Sequence, residues 1–249
     1  MKKLENKVAV VTGGNSGIGL ATAMLFAENG AKVAITGRDR QTLDRSIKEI
    51  GQQALGIVSD VSSVDNLSAL FKKIYDALGK IDVLVVNAGI YIPGGVADFT
   101  EDQFDQTSDI NFKGVFFSIQ KALPYLNDGA SVILTSSTLA NMGIGGVSVY
   151  SATKAAVNAL ARSISSDLAD RRIRVNVLSP GPTETPIMKR GGVTDSEFEQ
   201  AKTYLAGRTV IGRLGIPGEM AQGFLFLASD DSKYMVGSEL LLDGGMRIK

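Results

Sequence analysis

Two hydrophobic periods alternate along the 249-residue chain. Short runs at 7–12 (KVAVVT), 32–36, 54–58, 82–86, 131–136, 173–178 and 239–242 are rich in β-branched residues and apolar almost without interruption. Strands buried on both faces read as continuous apolar runs of this kind. Between them, 17–29, 40–50, 63–78, 101–126, 150–169 and 217–228 carry apolar residues at helical spacing. Alternating strands and helices predict an α/β fold with a parallel sheet, right-handed crossovers and helices on both faces. The length suits one large core, and no linker interrupts it, so 1–249 is expected to be a single domain. Ligands in such sheets bind beyond the carboxyl ends of the strands, near the point where strand order reverses. The residues just after each strand are therefore where chemistry is to be sought.

One stretch breaks the alternation. Residues 180–216 hold Pro180, Pro182, Pro186, Gly191 and Gly192, then a short helical piece around 195–206. A connection this long in a compact domain is usually functional, and a substrate lid over about 186–211 is predicted.

Composition narrows the chemistry. With no His and no Cys, zinc sites and His-based triads lose their ligand or base. No metal is expected, and acid–base work falls to Tyr, Lys, Asp or Glu. The cysteine-free chain fits a reducing, cytoplasmic setting. Lys+Arg and Asp+Glu both number 26, so nothing points to nucleic acid as a partner. Glu5, Asn6 and Lys7 break the N-terminal apolar stretch, and no run is long enough to span a membrane.

After the first strand comes TGGNSGIG, residues 12–19, leading into a helix. Gly13, Gly17 and Gly19 allow close backbone approach and positive φ. Asn15, Ser16 and Ile18 complete the turn, and the helix N-terminus offers free N–H groups and a positive dipole end to a pyrophosphate. The spacing is G-x-x-x-G-x-G, and no Lys-Ser/Thr pair of a nucleotide triphosphatase follows it. The second strand ends at Gly37-Arg38, where an acidic residue would otherwise hold the ribose 2′-OH of NAD. A guanidinium there can stack on adenine and pair with a 2′-phosphate, so NADP(H) is expected as the preferred cofactor. Asp39 keeps NAD(H) as the alternative. Asp60-Val61 ends the third strand, with Asp60 read either as an acceptor for the adenine amino group or as a helix N-terminal acid. Asn87-Ala88-Gly89 follows the fourth, placed to line the adenosine ribose.

Tyr150 and Lys154 stand four residues apart near the start of a helix, on one face. Just before it, the fifth strand ends in Thr135-Ser136-Ser137, and Ser137 can bond a substrate oxygen. A free Tyr titrates near 10, so acid–base work near pH 7 needs a fall of about 3 units. An ammonium about 4 Å away supplies roughly that much at an effective dielectric near 20.

Together these residues resemble the short-chain dehydrogenase/reductase family in its compact form. The resemblance runs from Lys7 to Gly245: TGGNSGIG at 12–19, DV at 60–61, NAG at 87–89, NFKG at 111–114, a Ser thirteen positions before YSATK at 150–154, and PGPTETP at 180–186. It implies a Rossmann fold with a doubly wound seven-stranded sheet in the order 3-2-1-4-5-6-7. It implies an oxidoreductase moving a hydride between a nicotinamide cofactor and a small carbonyl or alcohol. Tyr150 would be the acid/base, Lys154 would lower its pKa and hold the nicotinamide ribose, and Ser137 would orient the reacting oxygen. Asn111, in residue chemistry a mid-helix polar position, would hold a water linking Lys154 to a proton relay. Pro180, Gly181, Thr183 and Thr185 would contact the nicotinamide carboxamide and pyrophosphate. A homotetramer or homodimer would form through 101–126 and 150–169.

The substrate pocket is expected near Ile92–Val96, Thr138, Gly143–Val147 and the lid, favouring an uncharged or amphipathic carbonyl. Arg171 and Arg172 at a helix end leave a second reading, a 3-oxoacyl reductase that docks an acyl-carrier protein. They also suit a solvated helix C-terminus. A non-catalytic NADP sensor would keep the cradle and leave the Ser137, Tyr150, Lys154 set unexplained.

Overall fold

The structure is a computed structural model and describes residues 2–51, 54–189 and 194–249. Seven strands form its sheet: β1 Val8–Val11, β2 Lys32–Gly37, β3 Leu55–Val58, β4 Ile81–Val86, β5 Leu126–Thr135, β6 Arg174–Pro180 and β7 Glu239–Leu242. They pair in the order β3-β2-β1-β4-β5-β6-β7, every pair parallel. Among the described residues, eight α-helices connect them: α1 Gly17–Glu28, α2 Arg40–Ile50, α3 Val64–Leu78, α4 Glu101–Ser108, α5 Gly114–Ala122, α6 Ser148–Asp167, α7 Asp195–Gly207 and α8 Pro217–Ala228. The Rossmann architecture and strand order implied by the sequence are those observed.

Strand alternation sends side chains to two cores. In β1, Val10 packs with Phe71 and Ile74 of α3, Ile119 of α5 and Val157 of α6. Its neighbours Ala9 and Val11 pack on the opposite face with Phe26 of α1, Leu43 of α2 and Phe224 of α8. Both faces are dry, which is why the central strands read as unbroken apolar runs. Local chemistry sets the helix ends. Ser63 caps α3 by accepting from the Asn66 N–H, and Gly79 follows at φ 88. Thr100 and Gln103 form a reciprocal capping box on α4.

Two elements differ from the sequence pattern. The helix expected over 101–126 is broken by a π-turn at Asp109–Lys113 and ends in a 3-10 turn at Leu123–Tyr125. The Gly114 N–H bonds back five residues to the Asp109 carbonyl. A Cβ on Gly114 would stand 2.8 Å from the Val61 carbonyl, so only glycine lets this turn settle against the end of β3. The fifth strand begins at Leu126 rather than 131, because Leu126 pairs with Ile81 ahead of a register shift. Arg171 secures that early start, donating to the carbonyls of Leu123 (2.8 Å) and Leu126 (2.6 Å) and to Asp128 (2.8 Å).

Candidate active site

At the carboxyl edge of the sheet the turn between β1 and α1 is built to receive a ligand. Gly13 and Gly17 adopt φ of 63° and 52°, the left-handed region that disfavours a side chain. A Cβ on Gly19 would stand 2.3 Å from the Gly13 carbonyl. Ser16 is the N-cap of α1 yet makes no capping bond, so the first-turn N–H groups are left for something else to satisfy. These features fit a dinucleotide pyrophosphate.

The turn is held by residues that sequence reasoning left out or used otherwise. The buried Thr12 hydroxyl accepts from the Asn87 and Ala88 N–H groups (2.9 and 3.1 Å). The Asn87 amide donates to the Thr12 and Gly13 carbonyls and accepts from Thr135. Asn87 thus ties β1, β4 and β5 together at the topological switch. A Cβ on Gly17 would lie 3.3 Å from Thr185, which places the loop after β6 over the cradle. In that loop Thr183 donates to the Gly181 carbonyl (3.0 Å), and Gly181 packs so closely on Asp243 that a Cβ would meet its Cα at 2.5 Å. Pro180 is the last residue of β6.

At the end of β2, Gly37 has no room for a side chain, because Asn15 would lie 2.7 Å from its Cβ. Arg38 is exposed and lines a cavity of about 380 Å³ with Ser59, Asp60 and Asn66. Asp39 is drawn elsewhere: its carboxylate caps α2 by accepting from the Thr42 N–H (2.8 Å), and that bond holds it below the ordinary carboxylate pKa. Asp60 acts on the turn that leads into α3. Its Oδ1 accepts from the backbone and hydroxyl of Ser62, shaping the turn into α3. No bond to its Oδ2 is formed among the described residues. The following Val61 is buried beneath the π-turn.

The structure brings Asn111, Ser137, Tyr150 and Lys154 together beside the cradle. Ser137 hydrogen-bonds the Tyr150 phenol and accepts from the Leu139 N–H (3.2 Å). Lys154 is buried, donates to the Thr135 carbonyl (2.9 Å) and has its Nζ 5.7 Å from the Tyr150 ring centre. Asn111 sits in the π-turn with its amide clamped to both backbone groups of Ile90, at 2.9 Å each. The side chains of Asn111 and Lys154 converge over Gly89, whose missing Cβ would lie 3.2 and 3.5 Å from them. The spacing signal for Asn111 was hidden, because a π-turn looks like ordinary helix in the hydrophobic pattern.

The electrostatics differ from the sequence expectation. Burial pushes the Tyr150 phenol up to about 12, with Tyr91 adding to the rise and the Ser137 bond opposing it. Burial also pulls Lys154 down to about 8. As pH rises the amine therefore loses its proton before the phenol does, so it does not bring the phenol's own titration toward neutral pH. At neutral pH the arrangement is a protonated phenol beside a charged amine, a proton donor ready for a developing alkoxide.

The walls on the substrate side are tied together. The Gly94 N–H donates to the Gly146 carbonyl (2.9 Å), joining 90–96 to 143–147. The Thr138 hydroxyl is committed to the buried carboxylate of Asp243 (3.0 Å). Helix α7 carries about half of the expected lid and is tethered to the loop after β6 by the Lys202–Glu184 ion pair (2.7 Å). Gly191 and Gly192, within the lid segment, lie outside the described residues. Arg171, considered for docking a carrier protein, is consumed in holding β5. It lies near the amino end of β6, at the sheet edge opposite the site. Among the described residues, no cluster of acidic side chains could hold a metal, and no helix is long and apolar enough to cross a membrane.

A family model described as enoyl-(acyl carrier protein) reductase matches residues 13–247. The 3-oxoacyl-[acyl-carrier-protein] reductase FabG of Thermotoga maritima is 37% identical over 251 residues, covering 99% of this chain and 100% of its own. Versicolorin reductase stcU of Emericella nidulans is 34% identical over 254 residues, covering 98% and 96%. The solved short-chain dehydrogenase/reductase of Serratia marcescens superposes with a TM-score of 0.90 at 30% identity, over 98% of this chain and 99% of that one. With the parallel sheet, the glycine cradle and the Ser–Tyr–Lys cluster at its edge, these likenesses establish that the chain belongs to the short-chain dehydrogenase/reductase family, a group of NAD(P)-dependent oxidoreductases.

Proposed function

We propose that this protein is an NADP(H)-preferring reductase of small uncharged carbonyl compounds, with Tyr150 as the proton donor. The observation that carries the reading is the phenol of Tyr150, hydrogen-bonded to Ser137 and kept protonated at neutral pH, on the same sheet edge as an open pyrophosphate cradle. The cradle of Gly13, Asn15, Ser16, Gly17, Ile18 and Gly19 would hold the pyrophosphate. Arg38, Asp60 and Val61 would take the adenosine end, with Asn87, Ala88 and Gly89 beside its ribose. Lys154 would hold the other ribose, and Pro180, Gly181, Thr183 and Thr185 the nicotinamide. When bound, that group supplies the hydride at the substrate carbon. Tyr150 gives its hydroxyl proton to the substrate oxygen, which Ser137 orients, and Lys154 keeps positive charge close by as the phenol loses its proton. Because the Asn111 amide is committed to Ile90, any water it holds toward Lys154 rests on its main-chain oxygen.

The segments 87–97 and 135–150 contain no charged residue, which suits a neutral carbonyl. A 3-oxoacyl thioester meets that description, and the name of the Thermotoga maritima relative favours it as a second reading. Such a substrate cannot rely on Arg171 for docking.

The NADP(H) preference rests on an exposed Arg38 and on Asp39 being turned into a helix cap. Calorimetric titration should show NADPH binding at least about tenfold more tightly than NADH, the scale of one charge-assisted contact to phosphate. Arg38→Asp should erase the difference. Tighter NADH binding by the unmodified protein would overturn the preference. A reduced NADP pool would then drive reduction in the cytoplasm, where we place the enzyme.

We also propose a homodimer or homotetramer built on α4, α5 and α6. Phe104, Phe112 and Phe116 are 52, 40 and 38% exposed along α4, the π-turn and α5, unusual for aromatic side chains on a lone surface. Phe112→Glu combined with Phe116→Glu should lower the sedimentation coefficient to that of the monomer. An unchanged coefficient would remove this face as the interface.

A further inference from the structure

Tyr91 follows NAG at 87–89 and has no role in the reading above, yet it touches the phenol on which that reading depends. Its ring stands edge-on to the Tyr150 ring, with centres 5.1 Å apart and planes at 84°. Edge-to-face pairs at this separation are attractive and directional. The contact is braced from behind. Ile90, immediately before Tyr91, is gripped at both its N–H and its carbonyl by the buried Asn111 amide. Asn111 is in turn fixed by the π-turn packed on Val61. The backbone that carries Tyr91 is therefore set by β4, which it follows, and by the π-turn. Among the described residues the Tyr91 hydroxyl makes no hydrogen bond, so its ring rather than its oxygen does the packing.

Tyr150 needs such a neighbour. It lies in the first turn of α6, whose N-cap Val147 supplies no capping bond, after a run of three glycines at 143, 145 and 146. Its own helix fixes the Cα but not the aromatic torsion, which is a broad well in the absence of contacts. Ser137 reaches only the hydroxyl, and Lys154 sits behind the ring. Tyr91 supplies the remaining contact from the substrate side, where it is itself 39% exposed.

We infer that Tyr91 is a positioning residue for Tyr150: its ring fixes the orientation of the proton-donating phenol and keeps water from one side of it. The inference rests on the assignment of Tyr150 above. The titratable groups that face the Tyr150 phenol among the described residues are Tyr91, from the segment after β4, and Lys154, on its own helix; β5 and the turn after it contribute the neutral Ser137. Removing the Tyr91 ring opens the phenol to solvent, and a better-hydrated phenol ionises at lower pH.

The test uses Tyr91→Ala and Tyr91→Phe, with NADPH oxidation by ethyl acetoacetate as the probe reaction. Tyr91→Ala should lower kcat about tenfold or more with KM changed less than about threefold, because the ring acts on the proton-transfer step and not on substrate affinity. Its Tyr150 should also ionise at lower pH, because the phenol is better hydrated. Tyr91→Phe keeps the ring edge and should restore both. A change confined to KM would show Tyr91 to be a pocket wall only and would overturn the inference. So would a Phe variant as impaired as the Ala variant.

A second measurement needs no substrate. The ultraviolet difference titration of phenolate, corrected with the Tyr150→Phe background, follows Tyr150 alone. Its ionisation should occur at lower pH in Tyr91→Ala than in the unmodified protein, and coincidence of the two curves would reject the role. If instead Tyr150→Phe retains turnover, the assignment of Tyr150 fails, and the phenolate titration still decides whether Tyr91 governs its environment.

Discussion

Tyr150→Phe should abolish carbonyl reduction, with kcat reduced at least about 10³-fold and NADPH affinity changed less than about threefold. The substitution removes one oxygen and leaves the ring, so the edge contact with Tyr91 and the packing against Lys154 survive. What disappears is the proton given to the substrate oxygen, a contribution of general acids usually worth about 10²–10⁴ in rate. The upper part of that range is expected because the chain has no histidine to substitute for the phenol. Calorimetry with NADPH provides the control: the cradle from Gly13 to Gly19 is held by Thr12 and Asn87, neither of which touches Tyr150. Retained turnover would move the proton donor elsewhere, and loss of cofactor binding would mean that the phenol is part of the binding site. In the unmodified enzyme, reduction should weaken as pH rises through about 8, where Lys154 loses the charge that meets the departing proton, although burial keeps the Tyr150 phenol protonated up to about 12. Activity undiminished until about 12 would show that the charge of Lys154 is not required.

The fold and the reacting side chains were legible in the sequence for different reasons. A sheet covered on both faces writes its strands as continuous apolar runs, so β1, β2, β4 and β7 fall within a residue or two of their predicted bounds. The cradle is legible because glycine is the only residue that tolerates its backbone, as the clash at Gly19 shows. Contacts between segments distant in the chain were not legible. Asn111 reads as a helix residue, because a π-turn changes the hydrogen-bond register by one without disturbing the apolar stripe. Asn87 reads as a turn residue placed to line a ribose, and that it also binds three strands together is visible only once β1, β4 and β5 are adjacent. Asp39 reads as an acid at the end of β2, and its capping of α2 is visible only in the structure. The direction of the Tyr150 shift is not legible either: spacing gives proximity to Lys154 but not the burial of both groups, which raises the phenol and lowers the amine.

Lys154→Met should cost nearly all activity and yet raise stability at neutral pH. The amine is 4% exposed, and burial has lowered it from 10.5 to about 8. Between those values the unfolded chain holds a proton that the folded chain does not, so stability rises with pH across that window. Below about 8 both states are protonated and the folded protein bears the full penalty of a buried charge, on the order of 3 kcal/mol. Methionine keeps the length of the side chain and removes the charge. It also leaves the Thr135 carbonyl without its donor, at a cost of about 1–3 kcal/mol. The net gain at pH 7 is therefore expected to be about 0–2 kcal/mol, and the slope is the sharper test. Tyr150 contributes the opposite slope, because its raised value means that stability is lost as pH climbs from about 10 to 12. The interval from 8 to 10 thus belongs to Lys154. Urea unfolding at several pH values should show the stability of the unmodified protein rising through that interval and the methionine variant flat. Parallel lines for the two proteins would mean that the amine is solvated in the folded state. An active site that keeps a destabilising buried ammonium does so for its charge, and the proton donated by Tyr150 is the event that charge is placed to meet.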